Sequence, residues 1–306
     1  MSTLAGIQNR AGEEAGGRRA KIAGCVAICV TVLIWAGFAL SIRHIGASAL
    51  TVADVALIRF GVPTLLLLPF LPSRWQALRA VRPGDAFMVI AGAGLPFFFI
   101  ASAGGAATSA TYVGALVAGT APLSVAVISR LLDGHFHTGT RWPALAVIAA
   151  GATALIMASP ARDGADALSG SALLLGASLL WGAYTLGLRR AGLDAVGSTL
   201  LLAAPSLAGL LLLMATGVVS SHLGHVSMAD ASVFLIAQGL GVGFVASLAY
   251  VVAIRRLGAA RSAVIGSLAP ALACLLAVPL LGEQLTPSIL IGVVAITLGV
   301  IFSNRP

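Results

Sequence analysis

The sequence predicts an all-α membrane protein of ten transmembrane helices, and three observations support this: the composition, ten long apolar runs and an internal repeat. Of the 306 residues, 59% are hydrophobic and only 9% are charged, and the mean hydropathy is +1.03. A soluble domain carries roughly 25% charged residues to cover its surface. Most of the surface of this chain is therefore expected to face lipid, and the 36 glycines favour close helix packing there.

The net charge of +8 does not indicate a nucleic-acid partner. Lys and Arg stand in ones, twos and threes between the apolar runs, without a basic stripe and interleaved aromatic residues. Basic residues beside apolar runs act first as topology signals in membrane proteins. We therefore expect a lipid bilayer, and no nucleic acid, as the surroundings of this chain.

Ten apolar runs are long enough to cross a bilayer, which takes about 20 residues each. Their connections are short and contain Pro and Gly, so no loop forms a separate domain. The polar segment 1–21 is interpreted as a flexible cytosolic tail. The predicted spans are 22–43, 51–71, 84–103, 107–131, 142–159, 168–188, 196–218, 230–254, 258–281 and 286–303.

The distribution of basic residues predicts the orientation of these spans. With the N-terminus inside, almost all of the 18 Lys and Arg residues fall in inner segments. The outer side keeps only Arg43 and Arg162, and Arg59 lies within a span. Because inner loops are enriched in Lys and Arg, both termini are predicted to be cytoplasmic.

An internal repeat divides the chain into residues 22–159 and 160–306. The stretch WAGFALSIR begins at Trp35, and the similar WGAYTLGLR begins 146 residues later at Trp181. The fourth and ninth spans match at an offset of 148, which pairs Thr120-Ala-Pro122 with Leu268-Ala-Pro270. Each half has an odd number of spans, so the two halves must insert in opposite orientations. Such inverted repeats are typical of carriers with a site near the bilayer midplane.

The motifs within this layout identify a family resemblance. The chain resembles the EamA-type branch of the drug/metabolite transporter superfamily over nearly its whole length from about Lys21. The resemblance rests on LIWAGF at 33–38, LWGAY at 180–184, ALIRF at 56–60, Ala269-Pro270 and LLGEQLT at 280–286. The first half departs from the pattern, since His135 stands where the second half has Glu283.

Within that family the chain is similar to the aromatic amino acid exporters of bacterial inner membranes. This resemblance implies export of amino acids across the inner membrane, by alternating access through a cavity between the repeats. Multidrug carriers and carriers of sugar-phosphate-like or nucleotide-derived metabolites belong to the same superfamily and stay open as alternatives. A passive channel is disfavoured, because the spans hold few polar residues and the repeat suits two gates.

Arg59 is the first candidate for a binding residue, because it is the basic residue well inside a span. An arginine in lipid costs several kcal/mol, so it is expected to face the bundle interior. It could provide the counter-charge for a substrate carboxylate. Alternatively it could be a structural anchor, bonded to helix-end carbonyls or paired with Asp54.

Aromatic and amide side chains inside spans provide the other candidates. Mid-span tryptophans need a partner for the indole N–H or nearby water, so they are expected either to line a cavity, on opposite walls, or to pack in the core. Gln238 could bind either end of an amino acid. The candidate binding residues are Trp35, Arg59, Tyr112, Trp181, Tyr184, Gln238 and Tyr250, and the candidate gating kinks are Pro122 and Pro270.

Several classes of site are not indicated by the sequence. No nucleophile–base set or metal motif suggests an enzyme, and no cofactor or metal is expected. No acidic residue falls at a span centre, so proton coupling is not indicated and an acidic site for cationic drugs is missing. The oligomeric state is left open.

Overall fold

The computed structural model describes residues 2–134, 141–158 and 164–303, and within these ranges the secondary structure is helical, with no strand. Ten apolar helical segments follow one another along the chain. They are α1 (Ser2–Ile45), α2 (Val52–Arg79), α3 (Pro83–Ala107), α4 (Ala110–Asp133), α5 (Trp142–Met157), α6 (Gly164–Ala191), α7 (Ala195–Ala215), α8 (Met228–Leu257), α9 (Ala259–Gly266 with Ala269–Leu281) and α10 (Pro287–Ser303).

These segments confirm the predicted all-α membrane fold. Eight of them are long and apolar enough to cross a membrane, and the shorter apolar helices α5 and α10 complete the ten. Helix α1 begins at Ser2 and so includes most of the segment 1–21. The cytosolic location and flexibility of that segment stay predictions. His135, the residue at which the first half departs from the family pattern, lies outside the described residues.

Helices α3, α4, α8 and α9 are interrupted near their middles. Helix α3 breaks at Gly94, and α9 breaks between Gly266 and Ala269. Helices α4 and α8 contain π-helical turns, over Val113–Ala118 and Leu235–Ala246. In α4 a break at Gly119 and Thr120 follows these turns, and the helix resumes at Ala121. Such turns leave backbone carbonyls outside the regular helical hydrogen-bond pattern and often occur at functional sites. These four interruptions lie in the third and fourth helices of each half, as a repeat requires.

Helix packing follows the repeat. Helix α1 packs against α8 and α9 of the second half, and its counterpart α6 packs against α3 and α4 of the first half. The remaining helices pair with their own counterparts, α2 with α7 and α5 with α10. Exchanging the halves therefore reproduces the main contacts, and the space between α1 and α6 lies at the centre of the molecule.

The crossing of α5 and α10 depends on glycine. A Cβ built at Gly151 would lie 2.9 Å from the backbone N of Ile296, and one built at Gly299 would lie 3.0 Å from the carbonyl O of Ala144. Real Cβ atoms cannot approach backbone this closely, so the two helices meet backbone to backbone. The two glycines are 148 residues apart, the same offset that relates Pro122 to Pro270.

The two ends of the bundle are joined by different contacts. At one end, which we call the arginine end, Arg74 pairs with Asp194 at 3.2 Å and Arg190 pairs with Asp133 at 2.7 Å. At the other end, which we call the Glu283 end, the carboxylate of Glu283 accepts hydrogen bonds from the backbone N of Ala110 at 2.6 Å and from the Thr111 Oγ at 2.8 Å. Both sets of contacts join the first half to the second.

Candidate functional site

A cavity of about 500 Å³ lies between the two halves. It reaches the exposed residues Arg141 and Arg189 and is therefore open towards the arginine end. None of the residues that bind Glu283 at the opposite end lines it. A smaller cavity of about 140 Å³ adjoins it. Both cavities are lined by Trp35, Arg59, Trp181, Thr185, Val242 and Tyr250, so these residues lie where the two cavities meet.

Arg59 comes from α2, whose first turn is fixed by a capping box. The Thr51 hydroxyl accepts from the backbone N of Asp54, and the Asp54 carboxylate accepts from the backbone N of Thr51. Asp54 also accepts from the Ser221 hydroxyl and the backbone N of His222. The hypothesis that Asp54 pairs with Arg59 is therefore wrong, because its oxygens serve the helix cap and the loop before α8.

The guanidinium of Arg59 is buried, with 5% of the residue exposed. Its Nη1 donates to the Oε1 of Gln238 at 2.7 Å, whereas its Nε has no hydrogen-bond partner. Among the described residues no carboxylate forms an ion pair with it. A buried charge without a counter-ion is strongly unfavourable. The arrangement therefore leaves this cation ready to bind an anionic group from the cavity.

Gln238 holds Arg59 rather than lining the cavity. It is fully buried, and its Nε2 donates to the Ser41 Oγ at 2.7 Å. The Ser41 hydroxyl in turn donates to the carbonyl O of Phe38 at 2.8 Å. Both ends of the amide are thus occupied by protein groups. These three consecutive hydrogen bonds fix the orientation of the guanidinium through its Nη1.

Aromatic rings surround the guanidinium. Its Cζ lies 5.1 Å from the ring centroid of Phe38, 5.7 Å from that of Phe60 and 5.4 Å from that of Phe98. Cation–π contacts of this kind stabilise a desolvated cation by about 2 kcal/mol or more. They do so without using its N–H groups.

The two repeat-related tryptophans contact each other. Their ring centroids are 6.3 Å apart in a T-shaped arrangement, so the prediction that they stand on opposite walls is wrong. Tyr250 lies 5.0 Å from Trp35, and Phe97 and Tyr184 lie 5.5 and 5.1 Å from Trp181. The two rings meet across the space between α1 and α6, where both of them line both cavities.

Comparison with known proteins agrees with this architecture. Residues 168–305, which include almost all of the second half, match the EamA-like transporter family. The second half of the chain therefore belongs to the EamA-like transporter family. No curated protein matches the sequence. A solved structure entitled "Crystal structure of protein" is similar with a TM-score of 0.56 and 20% identity, over 93% of this chain and 95% of its own; this likeness concerns the fold alone.

The two candidate gating prolines of the transporter occupy equivalent places. Pro122 and Pro270 each lie in the first turn of a helical segment, directly after the break in α4 or α9, and both line the larger cavity. Proline is tolerated there because the first turn does not need its missing N–H. The predicted matched pair of interruptions is therefore present, and its role in gating stays a prediction.

Tyr112 lies apart from the other candidate residues. It lines neither cavity, and its hydroxyl donates to the carbonyl O of Leu155 at 2.8 Å, which joins α4 to α5. Tyr184 lines the smaller cavity only. The structure thus brings together five of the seven predicted binding residues at the cavities, and Gln238 supports them from behind.

Three residues of the site were not predicted from the sequence. Phe38 contacts Arg59, Thr185 lines both cavities, and Arg189 lies at the mouth of the larger one. The first two lie within one turn of a repeat tryptophan, on α1 and α6, and this spacing could have indicated them. Arg189 was interpreted as a topology signal, because the sequence does not show which arginines near the ends of the spans line a cavity.

Proposed function

We propose that the transporter exports small amphipathic metabolites that carry a carboxylate, with apolar and aromatic amino acids as the substrate class. The observation that carries this proposal is Arg59, a buried cation beside two cavities with an unpaired Nε and no carboxylate partner among the described residues. Its guanidinium would bind the substrate carboxylate through paired N–H donors. The rings of Trp35, Trp181 and Tyr250 would contact the apolar body.

Transport would proceed by alternating access between two conformations. In the observed one the cavity is open towards the arginine end and closed at the Glu283 end. With both termini in the cytoplasm of a bacterial-type cell, as the basic residues favour, this conformation faces inward. Rearrangement of the interrupted helices α4 and α9 around Pro122 and Pro270 would open the opposite side.

The composition of the cavities favours this proposal over its rivals within the superfamily. A site for cationic drugs would need an acidic residue, and neither cavity is lined by one among the described residues. A sugar phosphate or nucleotide would expose many hydroxyls, whereas the larger cavity is lined mainly by apolar and aromatic side chains. No described acidic residue lines the path, so we propose exchange or downhill efflux without obligatory proton coupling.

Counterflow into liposomes tests the proposal. Purified protein preloaded with unlabelled phenylalanine should accumulate radiolabelled phenylalanine and leucine without an imposed proton gradient, and protein-free liposomes should not. Absence of exchange for a panel of amino acids would contradict the substrate class, and strict dependence on a proton gradient would contradict the coupling. A reporter fused at Pro306 that is active only on the outer face would contradict the orientation.

A further inference from the structure

The charge of the cavities is of one sign. Among the described residues that line the larger cavity, Arg59, Arg141 and Arg189 are basic and none is acidic. The smaller cavity likewise has no acidic lining residue within the described ranges. A ligand that enters from the arginine end therefore meets cationic side chains at the mouth and a buried cation at the end of its path.

Four acidic residues at the two ends of the bundle are held in other contacts. Asp133 and Asp194 pair with Arg190 and Arg74 at the arginine end. Glu283 binds the first turn of α4, and Asp54 caps α2. None of these four carboxylates lines either cavity, so they provide no partner for a positive group on a bound molecule.

A zwitterionic ligand would find only one of its charges matched. Its carboxylate could pair with Arg59, but its ammonium would be desolvated in the same cationic space without an acceptor of opposite charge, which is strongly unfavourable. Aromatic faces could offer a substitute. However, Arg59 already lies over Phe38, Phe60 and Phe98. The other rings that line the larger cavity, such as Phe97 and Tyr250, carry no negative charge that could replace a carboxylate.

We infer that the site prefers an apolar carboxylate without a free ammonium group, of the class of N-acylated aromatic amino acids. This inference rests on the proposed function and deepens it. Acylation removes the positive charge and adds an amide, while the carboxylate still meets Arg59 and the aromatic body still meets Trp35, Trp181 and Tyr250. The larger cavity, at about 500 Å³, falls within the range of roughly 300–1,000 Å³ that is usual for such ligands.

Competition in the counterflow assay tests the inference with three probes that share one aromatic body: N-acetylphenylalanine, phenylalanine and phenethylamine. We expect N-acetylphenylalanine to exchange and to compete at least about tenfold more strongly than phenylalanine. A factor of ten corresponds to a difference of about 1.4 kcal/mol in binding free energy. Phenethylamine should not compete. The inference would be overturned if phenylalanine or phenethylamine competed as strongly as N-acetylphenylalanine, or more strongly.

The assay separates this inference from the proposed function. Exchange of phenylalanine without exchange of its N-acetyl derivative would overturn the inference and leave the proposed function standing. Exchange of neither would overturn both.

An acid placed in the cavity gives a second test. Thr185 lines both cavities, and among the described residues its hydroxyl donates to the carbonyl O of Trp181, on its own helix, at 2.9 Å. Thr185→Asp should shift competition towards phenylalanine, because the new carboxylate can pair with the ammonium. Thr185→Asn, of the same shape without the charge, should keep the preference of the parent protein. An equal shift in both variants would contradict an electrostatic origin.

Discussion

Two corners of the transporter occupy equivalent positions in the repeat and differ in chemistry. In one, Gln238 of α8 binds both Ser41 of α1 and Arg59 of α2. The offset of 146 between Trp35 and Trp181 makes Gly187 the counterpart of Ser41. In α3 and α8, the motif Gly92-x-Gly94 aligns with Gly241-x-Gly243, so Val89 is the counterpart of Gln238. In α2 and α7, the N-cap residues Thr51 and Asp194 align, so Leu202 is the counterpart of Arg59.

The second corner is packed without polar partners. A Cβ built at Gly187 would lie 3.3 Å from the Cγ2 of Val89, 2.7 Å from the Cβ of Met88 and 2.9 Å from the carbonyl O of Asp85. Helices α3 and α6 therefore approach more closely than a side chain allows. The comparison shows that the repeat supplies the framework of both corners, whereas the charged binding chemistry is present in only one. A substrate carboxylate would bind to one side of the central axis.

The largest effect is expected from moving the arginine between the corners. Arg59→Leu should reduce exchange to the level of protein-free liposomes, because the carboxylate loses its counter-charge. Adding Leu202→Arg to this variant should not restore exchange. Leu202 lines the smaller cavity, but Val89 and Gly187, which stand where Gln238 and Ser41 stand in the first corner, have no side-chain acceptor to orient a guanidinium. Counterflow of N-acetylphenylalanine measures exchange in both variants, and thermal unfolding in detergent measures the stability that the added charge costs. Restored exchange would show that the two corners are interchangeable.

The second effect is on stability and concerns the close-packed corner. Gly187→Ser, which copies the residue at the equivalent position of α1, should destabilise the protein by about 1–3 kcal/mol through overpacking against α3. Gly176→Ser on the same helix is the matched control, since nothing lies within 4 Å of a Cβ built there. Melting temperatures in one detergent compare the two. Equal values would mean that α3 and α6 do not need their close approach.

The sequence predicts the framework better than the site. Span number, the repeat and the paired breaks at Pro122 and Pro270 follow from patterns that every helix carries locally. The cavity residues were harder to predict, because hydrophobic periodicity does not fix the rotation of a helix that is apolar on all sides. Gln238 and Tyr112 are both polar groups within spans, yet one binds Arg59 and the other joins α4 to α5. Only the three-dimensional packing separates them.

The third effect is on affinity and concerns the support of Arg59 by Gln238. Gln238→Leu removes the acceptor of the guanidinium, and a hydrogen bond to a charged group contributes about 1.5–3 kcal/mol, so apparent affinity for the substrate should fall roughly tenfold or more. Val89→Leu, at the equivalent position of α3, should change the apparent affinity for the substrate little. Competition curves in the counterflow assay give both values.

A charged replacement distinguishes positioning from mere packing. Gln238→Glu keeps the shape and the contact but gives Arg59 a permanent carboxylate partner, so a substrate carboxylate must compete with it. Exchange should then fall further than in Gln238→Leu, while the folded protein should be at least as stable as that variant, because the buried cation gains a counter-ion. Unchanged exchange in Gln238→Glu would show that the substrate does not bind Arg59, and that the two corners differ only in how they pack.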